Sequence, residues 1–111
     1  MLYIATGFST RMLSRGEQSI RFLPLDLDEV KAQIQGADAS IVSLIQWEST
    51  ATVLSQVLGV SVSAVRQEII LDETDELIVV ELAVPRLAPG EVLSQVQIEA
   101  LSLSFWLLFV E

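Results

Sequence analysis

The spacing of apolar residues along the first third of the chain predicts two strands followed by a helix. Residues 2–5 form a short apolar run that ends near Gly7, which is typical of a strand. Residues 19–25 alternate apolar and polar side chains, and Pro24 lacks a backbone donor, so this strand is expected at the edge of a sheet. Residues 26–36 begin with acidic side chains, which the helix dipole favours, and end at a glycine, so they are predicted to form a helix.

The middle of the chain predicts a buried strand, a well-defined helix and a hairpin. Residues 39–45 are almost continuously apolar, as expected of a strand that is covered on both faces. Residues 49–58 carry an apolar stripe at helical spacing, and Gly59 follows at the position where glycine commonly ends a helix. Residues 65–71 and 77–84 have strand-like composition and are predicted to be a hairpin joined by an acidic turn.

The last third predicts a loop at 85–90, a short helix at 91–100 and a final strand at 103–110. The longest apolar tract, 105–110, is far shorter than the ~20 residues that span a bilayer, so a buried strand and no membrane association are expected. The resulting order β-β-α-β-α-β-β-α-β predicts an α+β fold. We expect a single mixed β-sheet of about five to six strands, with about two to three helices packed mainly on one face. The length predicts one domain, residues 1–111.

Composition narrows the possible chemistry. The chain has no histidine and no cysteine, which excludes imidazole catalysis, thiol nucleophiles, disulfides and zinc–thiolate sites. It has 15 acidic and 6 basic residues and a net charge of −9, which repels phosphate backbones and makes duplex DNA an unlikely partner. A small anionic ligand that is held by two or three arginines is still compatible with this balance.

Neither a metal nor an organic cofactor is predicted. The acidic residues within 72–76 are of the type that binds calcium, but their spacing matches no known calcium loop, so a solvated turn is favoured. The few glycines do not form a phosphate-binding loop, and the serines lack a base for a catalytic triad. No secretory signal is visible, and the absence of cysteine fits a reducing compartment, so a cytoplasmic location is expected.

Six segments, taken in order, resemble one known family. They are residues 2–13 (LYIATGFSTRML), 47–51 (WESTA), 54–59 (LSQVLG), Arg66, 75–79 (DELIV) and 85–87 (PRL). Together they resemble the small archaeal-virus and bacterial family that contains the type III anti-CRISPR ring nucleases. The resemblance spans nearly the whole chain, and its specificity lies in the order and spacing of the segments, since each alone is weak.

This resemblance implies a homodimer that binds cyclic tetra-adenylate across its two-fold axis, in the host cytosol if the protein is viral. A symmetric dimer presents every binding group twice, which suits a symmetric ligand. The family cleaves this ring without a metal. A ribose 2′-hydroxyl attacks the neighbouring phosphate, and a histidine protonates the leaving oxygen.

Three candidate ligand-binding residues follow from matching positions. Ser9 matches the serine of the N-terminal motif, which lies near ligand phosphate or ribose in the family. Arg66 matches an arginine that follows the central helix and is a candidate for binding phosphate. Arg86 matches the loop arginine that braces the scissile phosphate. The same positions also fit other roles, since Ser9 suits a cap or turn and the arginines suit surface ion pairs.

The chain departs from the family at both remaining catalytic positions. Where the family has Gly-His-Glu before the central helix, this chain has Gln-Trp-Glu, so Trp47 replaces the general acid. Where the family has Arg-Leu-Pro-Glu, this chain has Arg-Leu-Ala-Pro, so Pro89 replaces the glutamate, although Glu91 lies nearby. Indole cannot donate a proton near neutral pH, and loss of a general acid costs ~10²–10⁴-fold in rate.

These substitutions lead to two hypotheses of different classes. The first is a catalytically degenerate ring-nuclease-like protein that binds a cyclic oligoadenylate or related nucleotide, with Trp47 as a fourth candidate ligand residue and with little or no cleavage. The second is a homodimeric structural or protein-interaction protein that kept the fold and lost the pocket. Trp47 either packs in the core or stacks on an adenine. Trp106, in the final strand, is interpreted as a core or dimer-interface residue.

Overall fold

The computed structural model describes residues 1–38, 40–83 and 87–111, and its five strands form one mixed sheet. Across the sheet they lie in the order β2-β5-β4-β1-β3. β1 is parallel to both of its neighbours, whereas β5 is antiparallel to both of its own. The sheet confirms the predicted α+β class. The strands are β1 (Leu2–Ala5), β2 (Ile20–Leu25), β3 (Val42–Ser43), β4 (Glu76–Leu82) and β5 (Leu103–Val110).

Three α-helices accompany the sheet: α1 (Leu27–Gly36), α2 (Glu48–Leu58) and α3 (Gln95–Glu99). Asp26 caps α1 in a reciprocal capping box with Glu29, and Gly59 ends α2 in the left-handed conformation, as the sequence predicts. The third helix is shorter than the predicted 91–100. Ser94 forms a capping box that starts the helix only at Gln95. No helix within the described ranges is long and apolar enough to span a bilayer.

The two faces of the sheet bury two separate apolar clusters. On one face Ile4, Ile78 and Leu107 pack with the buried side chains of α1 and α2, such as Ile34 and Leu54. The other face carries a smaller cluster of buried side chains that contains no residue of the α-helices and is covered by loops. The α-helices therefore pack on one face, as predicted. The members of the smaller cluster are Ala5, Leu44, Leu71, Leu77, Leu108 and Val110.

The predicted hairpin between 65–71 and 77–84 is wrong. Residues 61–70 have no regular secondary structure, and Leu71 forms only an isolated bridge with Leu13. The second strand exists as β4, but it pairs in parallel with β1. The acidic segment that precedes it is therefore a turn between an irregular segment and a strand.

Side chains replace the missing ladder along residues 61–70. The Ser55 hydroxyl accepts from the backbone N–H of Val62 at 2.9 Å, and the Ser43 hydroxyl donates to the carbonyl oxygen of Ser63 at 2.6 Å. The backbone N–H of Val65 donates to the carbonyl oxygen of Ile45 at 2.8 Å. These three bonds give hydrogen-bond partners to backbone groups of the segment without a strand. Its strand-like composition therefore does not lead to a strand.

The predicted strand at 39–45 is shortened to Val42–Ser43. Ala39 lies outside the described residues. Beyond the strand, the backbone N–H of Leu44 still donates to the carbonyl oxygen of Ile4 at 2.8 Å. The chain then leaves the sheet and reaches α2 within four residues, which places the start of this helix at the sheet edge.

Candidate functional site

The carboxyl ends of β1 and β3 lie side by side and form one wall of a recess of about 240 Å³. Parallel strands present their following loops at one edge of a sheet, which is where ligands commonly bind in such folds. The loop after β1 contributes Thr6 and Gly7, and the loop after β3 contributes Gln46 and Trp47. Thr6, Gly7 and Gln46 are not among the candidate ligand-binding residues that the sequence predicts. Their positions directly after apolar runs could have indicated loops at the carboxyl ends of strands.

Trp47 lies at the rim of this recess with 72% of its surface exposed. The interpretation of Trp47 as a core residue is therefore wrong. It occupies the N-cap of α2 in an extended conformation, and the buried stripe of the helix starts only at Ala51. The strand-to-helix junction thus holds an indole at the surface.

The first backbone N–H groups of α2 receive no side-chain cap within the described part of the chain, since the Trp47 side chain at the N-cap has no acceptor. The amides of a first helical turn have no partner inside the helix and favour anions, although the carboxylate of Glu48 lies in the same turn. The Ser49 hydroxyl accepts from the backbone N–H of Leu87 at 3.2 Å and so fixes the next loop against the helix.

The candidate Ser9 lies on the loop after β1 and caps a short 3₁₀ turn, Thr10–Met12. Its Oγ accepts from the backbone N–H of Arg11 at 3.2 Å. The capping role is therefore seen directly. The side chain remains exposed beyond this bond, so its proposed contact with a ligand stays a prediction.

Arg66 is exposed, and its backbone lies near the end of β3 in space, because the backbone N–H of the neighbouring Val65 donates to the carbonyl oxygen of Ile45. It forms no ion pair with a carboxylate of the residues that the structure describes. The backbone of Arg66 thus lies beside the segment that leads to Trp47. Arg86, the second candidate arginine, lies outside the described residues.

Pro89 has a local structural role. Residues 88–91 form a turn in which the backbone N–H of Glu91 donates to the carbonyl oxygen of Ala88 at 2.9 Å. Gly90 has a φ of 80°, so the turn has the positive φ that type II requires, with proline at the preferred preceding position. Pro89, which stands where the resemblance implies a glutamate, therefore shapes the loop that packs on α2.

Two carboxylates of the acidic turn accept hydrogen bonds from other residues of the same turn. Asp72 Oδ1 accepts from the backbone N–H of Thr74 at 2.8 Å and from its hydroxyl at 2.6 Å, and Asp75 Oδ2 accepts from the backbone N–H of Asp72 at 3.0 Å. No group of three or more metal-ligating side chains occurs among residues 1–38, 40–83 and 87–111. The interpretation of this segment as a turn fits these bonds.

Acid should weaken the contribution of Asp72 to stability. Hydrogen bonds from the side chain and backbone of Thr74 lower the pKa of Asp72 below its ordinary value of 3.8. A carboxyl with a lowered pKa in the folded state stabilises the fold above the unfolded pKa, and this contribution is lost as the pH falls through the folded pKa. Urea unfolding should therefore show Asp72→Asn less stable than wild type at pH 7, with the gap shrinking below the ordinary pKa.

The neighbouring exposed Glu73 supplies the control for this experiment. Glu73→Gln should change the free energy of unfolding little at either pH. A gap between Asp72→Asn and wild type that is the same in acid as at neutral pH would contradict the assigned cause.

Comparisons with known proteins match this chain to a family model and to solved structures. The family model described as STIV B116-like matches residues 2–106. The structure of B116 of Sulfolobus turreted icosahedral virus (STIV) is similar to this chain with a TM-score of 0.79 and 24% sequence identity, and the match covers 97% of each chain. This likeness shows a shared fold. No curated protein matches the sequence.

Proposed function

The chain belongs to the STIV B116-like family, and on this premise we propose that it is a ring-nuclease-like protein that binds a cyclic oligoadenylate without cleaving it efficiently. Cyclic tetra-adenylate is the ligand that the sequence resemblance implies. The binding site in this proposal is the recess at the carboxyl ends of β1 and β3, completed in a homodimer by the same recess of a second copy.

The exposed indole of Trp47 carries the proposal. Large aromatic side chains are usually buried at least in part, yet this one is 72% exposed beside a recess. An indole in such a place offers a flat face to a base, and stacking of one base on one aromatic ring contributes about 1–3 kcal/mol. Each of the four adenines of the ring has a face that suits this contact.

Charge near the recess supports binding of a phosphate ring. Arg66 is unpaired among the described carboxylates, and the first turn of α2 presents backbone donors. Both groups favour an anion, and both lie near the same sheet edge as Trp47. The net charge of −9 opposes an extended polyanion more strongly than a compact one, because a small ring meets only the local charges.

The same residues argue against efficient cleavage. The position of the family's general acid is Trp47, whose indole has no proton to give near neutral pH. The position of the glutamate is Pro89, which forms part of a turn. A protein that binds the ring and does not cut it would sequester the ligand, and its effect would depend on protein concentration.

Calorimetry with cyclic tetra-adenylate tests the proposal. We expect saturable binding by the wild-type chain and a dissociation constant about 10- to 100-fold larger for Trp47→Ala, from the loss of base stacking. Arg66→Gln should also weaken binding and reduce its salt dependence. Arg15→Gln, which removes an exposed arginine elsewhere, is the matched control. The absence of heat at high micromolar ligand would rule out this function.

The second hypothesis, a homodimeric interaction protein that has lost the pocket, is favoured by a different observation. Edge strand β2 exposes Phe22 by 50% and Leu23 by 38%, which is unusual for residues of this size. Sedimentation distinguishes the hypotheses when it is combined with calorimetry. A stable dimer that takes up no nucleotide supports the interaction protein, whereas nucleotide binding supports the first proposal.

A further inference from the structure

Three aromatic side chains and one carboxylate surround a second recess, on the sheet face opposite the α-helices. Its volume is about 370 Å³, and its lining is almost entirely apolar. We call it the aromatic recess. Its lining residues are Phe8, Phe22, Val79, Glu81 and Trp106. None of them belongs to the site at the ends of β1 and β3.

The strand register explains why these side chains meet. Trp106 of β5 lies opposite Val79 of β4, and alternation along β4 puts Glu81 on the same face, diagonal to Trp106. Phe22 of β2 lies opposite Leu108, which shares that face with Trp106. Trp106 is therefore part of neither buried core, and its interpretation as a core residue is wrong.

Two contacts hold the aromatic recess in shape. The Nε1–H of Trp106 donates to Glu81 Oε1 at 2.9 Å, which fixes the indole and places a carboxylate at its edge. Phe8, from the loop after β1, meets Phe22 edge to face, with ring centroids 6.1 Å apart and an interplanar angle of 84°. The rings are thus positioned by β2, β5 and a loop, and all of them border one open volume.

We propose that the aromatic recess binds a quaternary ammonium group. The faces of aromatic rings attract cations, and a carboxylate beside them adds a fixed counter-charge. The net charge of −9 raises the local concentration of cations around the molecule. An anionic ligand meets Glu81 unfavourably, and a neutral apolar ligand gains nothing from the carboxylate.

The hydrogen-bonding capacity of the lining selects among cations. Ammonium and guanidinium groups carry several N–H donors, each of which is costly to bury without an acceptor. Here the carboxylate of Glu81 already accepts from Trp106 and can meet only those donors that point toward it, because the rest of the lining is apolar. A trimethylammonium group has no N–H and loses nothing on entry. Choline and the side chain of trimethylated lysine both present this group.

Titration of the full chain with choline tests the proposal, with the indole Nε1–H resonance of Trp106 as the readout. We expect a saturable shift of this resonance at millimolar choline. The neutral isostere of choline, in which a tert-butyl group replaces trimethylammonium, should give a much weaker response. Equal responses to the two compounds would overturn the proposal. So would the absence of a saturable shift with choline, which is also the result expected if a second copy of the chain covers the recess.

Single substitutions test the contributions of the carboxylate and of the aromatic rings to choline binding one at a time. Glu81→Gln keeps an acceptor for the Trp106 indole and should weaken choline binding about tenfold. Phe22→Leu should weaken it by a similar factor and leave the fold intact, since Phe22 is half exposed. Glu99→Gln and Leu23→Ala are matched controls that should not change the affinity. Undiminished binding by both test variants would contradict the assigned site.

The trimethylammonium group could belong to a small molecule such as choline or to a methylated protein. Comparing the affinities of free choline and of a blocked trimethyl-lysine amide distinguishes the two. Similar affinities indicate recognition of the trimethylammonium group alone. Tighter binding of the lysine derivative indicates a methylated protein, with unmethylated lysine amide as its control. Binding of the unmethylated compound as tightly as the methylated one would refute selection by hydrogen-bonding capacity.

Discussion

Replacing Trp47 with histidine is expected to raise the rate of cyclic tetra-adenylate cleavage by ~10²–10⁴-fold over the wild-type chain. The substitution places an imidazole at the N-cap of α2, beside a recess that is also lined by Thr6, Gly7 and Gln46. Trp47 is exposed, so no core contact is lost with the indole. Labelled ligand with excess protein, followed under single-turnover conditions, measures the chemical step directly.

The pH profile gives this prediction a sharper form. A histidine that acts as a general acid must be protonated, so the rate of Trp47→His should fall as the pH rises through the imidazole pKa, near ~6.5 when unperturbed. Trp47→Phe, which changes the side chain without adding an acid, should stay as slow as wild type. If Trp47→His is inert, adding Pro89→Glu tests whether the second departure is responsible. An inert double variant would contradict the proposal that this is a degenerate ring-nuclease site.

Removing the side chain of Leu54 is expected to lower the free energy of unfolding by about 2–5 kcal/mol. Leu54 is fully buried in α2 and packs in the cluster between the helices and the sheet. Leu54→Ala therefore removes buried methyl groups and leaves a cavity that the surrounding sheet and helix cannot close. Urea unfolding followed by circular dichroism gives the difference.

Leu23→Ala is the matched control for this prediction, because it makes the same chemical change at a residue that is 38% exposed. It should cost about 1 kcal/mol or less. Equal losses for the two variants would mean that the face of β2 carrying Leu23 is covered in solution. That result would support a partner on this strand.

Local signals were sufficient to predict most of the fold. Asp26 with Glu29 and the terminal Gly59 are signals that act within a few residues, and α1 begins and α2 ends where these predict. Pro24 likewise predicts an edge, and β2 is an edge strand. These features are recoverable from sequence because the interactions that cause them are short in range.

The segment at 65–71 could not be predicted in this way. Its composition favours a strand, yet its backbone bonds go to segments far away in sequence. The backbone N–H of Val65 donates to the carbonyl oxygen of Ile45, and that of Leu71 donates to the carbonyl oxygen of Met12. The hairpin prediction failed because a long-range interaction displaced a local preference.

The candidate site was predicted in part. Sequence reasoning located the loops after β1 and β3 through Ser9 and Trp47, but the exposure of Trp47 was not predictable. Burial of an indole at a helix start depends on how the helix docks, which is a property of the whole sheet. Trp106 was also not predictable from its surroundings in the sequence. It lies in an apolar strand, yet its indole lies on the sheet face opposite the α-helices.

The position of β5 between β2 and β4 has a consequence for biosynthesis. The ribosome releases β2 early, but its sheet partner is the last strand of the chain, and Ile20 pairs with Val110. Until that strand emerges, Phe22 and Leu23 belong to an unpaired segment of a nascent chain. Closing so distant a pairing is slow, because the entropy of the intervening loop is lost first. Pairing of β2 therefore follows the synthesis of β5, which is the last of the described strands.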